Sequence, residues 1–275
     1  MERQEGFRIS HNKDSDTKPI YFHSHDFYEI YFFVEGSVTY YIENESYELS
    51  SGDVLVIPPG KLHRPVFEGE KVYDRYVLWI YASCTAQQEG IRRFLEQIDR
   101  LTAEKNTRRL SYGGRDRKRV VELFGRLQAS YVSGEELREY VSEGCMLLLL
   151  DEVRRALEKT ERVSEEEGGL ARQVIAYING HVADAPSLEE LAAEFYVSKY
   201  YLLHQFKEYA RTTVHQYILM KKINLAKDLL EQGDAPQQVS EKCGFSTYSN
   251  FYKVFTAQTG TSPRRYRVAQ SKTQR

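Results

Sequence analysis

The chain has 275 residues, 41% hydrophobic and 28% charged, with a formal net charge of −2, which is ordinary globular composition with room for two domains that each bury a core. No apolar run, Met146 to Leu150 included, approaches the roughly 18 residues of a membrane span, and Met1-Glu-Arg-Gln-Glu-Gly shows neither a signal peptide nor a lipidation motif; a cytoplasmic protein without membrane contact is expected. Cys84, Cys145 and Cys243 are odd in number, far apart and without metal-type spacing, so they read as reduced, buried thiols rather than a disulfide framework.

The charge is unevenly spread. Residues 1–169 carry 24 Lys and Arg against 31 Asp and Glu, and residues 170–275 carry 14 against 9. A basic C-terminal third on an acidic partner fits a polyanion-binding module attached to something else.

From Tyr21 to about Tyr81 the chain alternates and is rich in Tyr, Phe, Val and Ile, with turn signals at Glu35-Gly36, Glu43-Asn44 and Ser51-Gly52-Asp53. This spacing predicts short antiparallel strands forming a sandwich or barrel, a shape that can hold a ligand. Beyond Gln87 the period changes: Val120, Phe124, Leu127 and Tyr131, then Leu137, Val141, Cys145 and Leu148, mark two amphipathic helices. The polar stretch Glu158 to Gly169 has little to bury and reads as a linker. The resulting division is residues 1–160, a linker at 161–169, and residues 170–275.

After the linker, Ala171 to Val182 predicts a helix, and Ser187 with Glu190 has capping-box spacing for a second. Leu188, Leu191, Ala192 and Phe195 line its inner face, and Ser198 caps a third helix with Leu202 and Phe206 inward. Two short helices joined by a tight turn form a helix-turn-helix. A second copy follows, with Pro236, Gln237 and Val239 in its first helix, Cys243-Gly244-Phe245 as the turn, and Phe251 and Phe255 inward in its second helix, capped at Ser246. A long helix from Thr213 to Glu231, with Leu219, Ile223, Ala226 and Leu230 buried, separates the copies. The outward positions are Lys199, Tyr200, Leu203, His204 and Lys207 on the first recognition helix, and Thr247, Tyr248, Ser249, Tyr252 and Lys253 on the second. Neither helix offers the arginine that pairs bidentately with guanine, so polar, apolar and shape readout are expected. Leu203 either meets a thymine methyl group or is buried against the spacer helix.

The order Ser-Leu-Glu-Glu-Leu-Ala, Ser198-x-x-Tyr201-Leu202-x-x-x-Phe206-Lys207, Ile223-x-x-Ala226-x-x-Leu229-Leu230, Cys-Gly244-Phe245 and Gly260-Thr-Ser-Pro263-x-x-Tyr266-Arg267 resembles the AraC/XylS family over about 100 residues. Arg211 stands where that family usually has a turn glycine, Lys222 where it has arginine, Ser240 for alanine and Thr256 for a basic residue. The resemblance implies a double-stranded DNA partner, a small-molecule effector such as a sugar, a homodimer, and RNA polymerase as a further partner. The chain is then a regulator and not an enzyme.

In the N-terminal half, His23-Ser-His25-x-x-x-Glu29 followed by Gly36, and Gly52-x5-Pro58-x-Gly60-x-x-His63, resemble the two halves of the cupin motif. The implied fold class is α+β and multidomain: a cupin-type barrel with flanking helices, then an all-α domain of two helix-turn-helix units on a long helix. On a strand, His23, His25 and Glu29 share a face by the period of two. The expected effector residues are His23, His25, Glu29, His63, Tyr31 and Trp79, the polar ones hydrogen-bonding hydroxyls without a cofactor or metal. Were an ion bound, His23, His25, Glu29 and His63 would be its ligands, and the alternative function would be a cupin isomerase or oxygenase with a DNA-binding tail. Leu137, Val141 and Leu148 either meet the dimer partner or cover the barrel.

Overall fold

The computed structural model describes residues 6–15, 19–68, 72–133, 136–161 and 169–273, with side chains as far as Val268. Most of the expected linker, residues 162–168, lies outside the described residues. The chain divides into two compact units, each treated by itself below.

The N-terminal unit opens with seven strands: β1 Phe7–Asp14, β2 Tyr28–Glu35, β3 Val38–Ile42, β4 Glu45–Glu48, β5 Asp53–Ile57, β6 His63–Phe67 and β7 Tyr73–Ile80. Helices α1 Ala82–Gln87 and α2 Glu89–Lys105, strand β8 Arg109–Ser111, and helices α3 Gly114–Val132 and α4 Arg138–Lys159 complete it. One sheet has the order β1-β7-β2-β5-β8 and the other β4-β3-β6. Pairing is antiparallel, with Glu29 opposite both Ile57 of β5 and Trp79 of β7, and Ile42 of β3 opposite His63 of β6.

Side-chain alternation sorts β2, β5 and β7 onto two cores. Tyr31, Phe33, Leu55, Ile57, Tyr73 and Val77 meet Val38, Tyr40 and Ile42 of the second sheet. Ile30, Phe32, Val54, Val56, Leu78 and Ile80 face the other way, against Ile91, Leu95 and Ile98 of α2, Val120, Phe124 and Leu127 of α3, and Met146, Leu149, Leu150 and Val153 of α4. The shared wall has no solvent face, which is why β2 reads as a continuous apolar run rather than an alternation. The spacing read for α4 needs correction. Cys145 is buried, whereas Leu137, Val141 and Leu148 are exposed and do not cover the barrel, because the buried stripe runs through Ser142, Cys145, Met146, Leu149 and Val153.

The C-terminal unit consists of α5 Leu170–Gly180, α6 Leu188–Glu194, α7 Lys199–Ala210, α8 Val214–Glu231, α9 Pro236–Lys242, α10 Tyr248–Thr259 and α11 Pro263–Thr273. Local capping chemistry sets the starts. Ser187 and Glu190 form the reciprocal box, Ser198 accepts from the Tyr201 N–H, and Thr213 forms a box with Gln216. The cap of α10 is Thr247, accepting from Asn250 N–H, and not Ser246. Ile223, Ala226 and Leu230 of α8 pack with Val239, Cys243, Phe251, Phe255 and Tyr266 in one apolar cluster. All three cysteines are free and buried, and burial pushes the Cys243 thiol up to about 12 and the Cys84 thiol up to about 11, so both stay protonated.

Candidate nucleic-acid interface and ligand site

The two helix-turn-helix copies repeat each other bond for bond at their turns. In the first, Tyr196 N–H donates to Ala193 O and Val197 N–H to Ala192 O; in the second, Gly244 N–H donates to Glu241 O and Phe245 N–H to Ser240 O. Leu202 and Phe206 of α7 have their counterparts in Phe251 and Phe255 of α10, all four buried. The second turn is one residue longer, since Phe245 and Ser246 precede the Thr247 cap where Val197 alone precedes the Ser198 cap. That insertion explains why the cap falls one position later than the repeat predicts.

The outward residues of α7 are exposed. Tyr200 is 81% accessible and Leu203 39%, which removes the alternative that Leu203 is buried against α8. Lys199 is ion-paired with Glu189, and His204 lies 3.8 Å from Glu208, so these two basic residues of α7 stand beside carboxylates. On α10, Ser249, Tyr252 and Lys253 are exposed, while Tyr248 is half-buried against Phe251 and Tyr252. Thr247 is exposed, and its hydroxyl accepts the Asn250 N–H at 3.2 Å as the cap while its own O–H remains a donor. Four further residues are exposed beyond those expected. Asn250 sits one turn before Lys253 on the same face, Tyr201 is half exposed, and α11 opens with Arg264 and Arg265 in solvent. The helical phase gives Asn250, and Ser262-Pro263 is an available start signal for α11, where Arg265 N–H reaches Ser262 Oγ at 3.4 Å.

In the N-terminal unit the polar cluster is built from one loop, which carries His25, and from strands that carry Glu29, Tyr40, His63 and Trp79. Glu29 is in β2, and because Trp79 is opposite it across the ladder, both side chains share one face: Trp79 Nε1–H donates to Glu29 Oε2 at 2.9 Å. The Tyr40 hydroxyl donates to Glu29 Oε1 at 3.3 Å. His63 opens β6 just after Gly60, whose φ of +74° suits a residue without a β-carbon. Gly60 N–H donates to the His25 carbonyl at 2.8 Å, and this bond pins the loop that leads into His63 to the loop carrying His25. His25 Nε2 lies 3.3 Å from Glu29 Oε2, and the His25 and His63 rings meet edge-on at 4.7 Å. Among the described residues this is the one group of three or more metal-type donors, their atoms all within 4.8 Å of one another. Burial alone would raise the Glu29 carboxyl, but the hydrogen bond from His25, the charges of His63 and His25, and the Trp79 bond together hold it below the usual glutamate range.

Two expected residues stand apart. His23 is exposed and donates Nδ1–H to the Tyr21 carbonyl at 3.0 Å, outside the cluster. The period-two argument fails because β2 begins only at Tyr28, so His23 and His25 are not on a strand with Glu29. Tyr31 does face the interior, but its hydroxyl is committed to Tyr73 at 2.8 Å.

A strand-rich unit with a buried polar cluster, followed by paired reading helices, defines a two-domain protein of the helix-turn-helix class. Comparison with known proteins gives the family. The family described as AraC-like ligand binding domain matches residues 9–111, and the one described as helix-turn-helix domain matches residues 191–269. The probable transcriptional regulator LumQ of Photobacterium leiognathi is 29% identical over 136 residues, 48% of this chain and 55% of LumQ, so the chain spans about half the length of that relative. The HTH-type transcriptional activator RhaS of Escherichia fergusonii is 25% identical over 89% of this chain and 86% of its own length. The uncharacterized HTH-type transcriptional regulator YbfI of Bacillus subtilis is 26% identical over 83% of this chain and 80% of its own. The chain belongs to the AraC family of DNA-binding transcription regulators. No helix among the described residues is long and apolar enough to cross a membrane.

Proposed function

We propose that the protein is a sequence-specific transcription regulator whose engagement of DNA is controlled by a small molecule, a sugar or related metabolite, held in the interior of the N-terminal unit. The observation that carries this reading is the duplicated helix-turn-helix with its outward faces in solvent. Lys199, Tyr200, Leu203, His204 and Lys207 on α7, and Thr247 at the cap with Tyr248, Ser249, Asn250, Tyr252 and Lys253 on α10, are the readers. Asn250 adds the amide suited to adenine. In the interior, His25, Glu29, His63 and Trp79 present donors and acceptors of the kind that hydroxyl groups require; His23 has no part in it.

The exposed apolar face of α4 supports a homodimer through the N-terminal unit. Contact with RNA polymerase follows from the family resemblance alone, and no residue is assigned to it. The curated relatives are transcription regulators, and the chain is read as one rather than as an isomerase or oxygenase.

Fluorescence anisotropy of full-length protein on promoter fragments, across salt concentrations and with a panel of sugars, tests the reading. Lys253→Ala should weaken binding to all sequences and lower the salt slope by about 1, while Tyr252→Ala should cost about 1–3 kcal/mol mainly on cognate sites. Both variants binding like wild type would remove α10 as a reading helix. A panel in which no sugar changes either DNA binding or melting temperature would remove the sugar from the proposal.

A further inference from the structure

We infer that Lys222 determines the spacing of the DNA site: it braces the turn of the second helix-turn-helix against the chain that enters the first, and so fixes the distance and rotation between α7 and α10. The inference deepens the proposed reading of DNA by these two helices and rests on it.

Three segments of the C-terminal unit converge at this side chain. Lys222 is half-buried on α8, and its ammonium donates to the Gly244 carbonyl at 2.8 Å. The same ammonium lies 5.6 Å from the centre of the Phe245 ring, within cation–π range. From the other side comes the segment between α5 and α6: a β-carbon on Gly244 would stand 1.9 Å from the Ala183 carbonyl oxygen, so the two backbones are in close contact. Burial lowers the ammonium from the usual lysine range, and the neighbouring Cys243 and Asp184 act against that shift. Asp184 is therefore near enough to feel the charge that holds Gly244.

Chain order shows what the brace holds. Gly244 and Phe245 come shortly before the Thr247 cap of α10, and Ala183 and Asp184 shortly before the Ser187 cap of α6. A recognition helix enters the groove by its N-terminal end, so holding Gly244 holds the reading end of α10. Each copy also packs on its own stretch of α8: Phe206 meets Tyr217 edge-on at 5.7 Å, and Val239, Phe251 and Phe255 cluster on Ile223, Ala226 and Leu230. Apolar contacts have no preferred direction and keep each copy on α8 without fixing its rotation, whereas a charged hydrogen bond has a line. Lys222 supplies that line between the two packing patches. The turn itself does not demand it, since Tyr196 takes the place of Gly244 in the first copy and its ring stands in solvent. The close approach belongs to the junction between the copies.

Adjacent major grooves on one face of DNA lie about 34 Å apart, and one inserted base pair moves the second by about 3.4 Å and turns it by about 34–36°. A braced pair of helices cannot follow both changes and loses the contacts of one copy; a loosened pair follows them.

The test uses full-length protein and a duplex that it selects from a random-sequence pool, with one base pair inserted between the two adjacent grooves that a footprint protects. Wild type should lose about tenfold or more in affinity on insertion, Lys222→Met about threefold or less, and Lys222→Arg, which keeps a charged donor, should behave as wild type. If Lys222 merely supports the fold, Lys222→Met weakens binding to both duplexes alike and the ratio stays at its wild-type value, which overturns the inference. Should Lys222→Met not fold, Asp184→Asn, at an exposed position, takes its place; the discrimination should again fall, and an unchanged ratio again counts against the brace. A wild type that tolerates the insertion within about twofold overturns the brace and leaves the two-helix reading standing. A footprint of one groove alone removes that reading and the brace with it.

Discussion

Gly244 has φ +66°, and a β-carbon there would come 1.9 Å from the Ala183 carbonyl oxygen and 3.0 Å from Lys222 Nζ, whose ammonium donates to the Gly244 carbonyl at 2.8 Å. The turn of the second helix-turn-helix is thus pressed onto the chain that follows α5. Gly244→Ala meets both a left-handed backbone and a backbone clash, and should cost about 3 kcal/mol or more in thermal or denaturant unfolding. Gly125 in α3 is the control: its φ is not positive and a β-carbon there meets nothing within 4 Å, so Gly125→Ala should gain about 0.5–1 kcal/mol. Equal effects at the two positions would show that the close approach is not what constrains Gly244. Cys243-Gly244-Phe245 was legible as a turn because glycine marks positive φ in the sequence itself. The failure at His23 has the opposite cause: alternation assigns a face only where the chain is a strand, and nothing local announces that β2 starts at Tyr28.

Comparison of the two helix-turn-helix copies shows one backbone carrying different residues. Tyr196 has φ +53° where the second copy has Gly244, and Arg211 has φ +51° at the end of α7 where Gly260, at φ +71°, ends α10. In both places the first copy puts a long side chain into the left-handed region, and Tyr196 is 96% exposed, so its ring gains nothing from packing. Left-handed strain costs a non-glycine residue about 1–2 kcal/mol, and glycine returns about 0.5–1 kcal/mol of that to the unfolded chain. Tyr196→Gly and Arg211→Gly should therefore each stabilise the C-terminal unit by about 0.5–1 kcal/mol, read as a raised melting temperature; a lowered one would mean that these side chains make contacts that outweigh the strain. Among whole elements, the capped helices α6, α7 and α8 were legible because a cap is a local signal. In α2 the helical period of Ile91, Leu95, Ile98 and Leu101, all buried, is present in the sequence without a cap to announce it. Nor does the sequence announce α11, whose buried Tyr266 packs on Phe255 at 5.5 Å, a contact that only the folded unit reveals.

Across the molecule as a whole, the apolar residues that remain in solvent on α4 have a pattern. Leu137 is 62% and Leu148 57% exposed, and with Tyr140 and Val141 they follow the helical repeat on the side away from the core. Exposed apolar stripes of this kind mark contact surfaces. Leu148→Glu leaves the core untouched, so the variant should melt within about 0.5 kcal/mol of wild type; wild type is expected to sediment as a dimer and the variant as a monomer. A variant that stays dimeric would place the contact elsewhere, and a wild type that sediments as a monomer would remove the dimer.

The two-faced wall of β2, β5 and β7 bears on how this chain can drift over generations. Ile30, Phe32, Val54, Leu55, Val56, Ile57, Leu78 and Ile80 are fully enclosed, with Glu29, Tyr31 and Phe33 nearly so. A strand with one wet face can exchange every second residue freely, as β4 can with its alternately exposed Glu45–Glu48. The wall has no such spare positions. Its substitutions are expected to come as compensated pairs across one core or the other, so residues 29–33 and 54–57 should change slowly and leave adaptation to the loops and the outer helix faces.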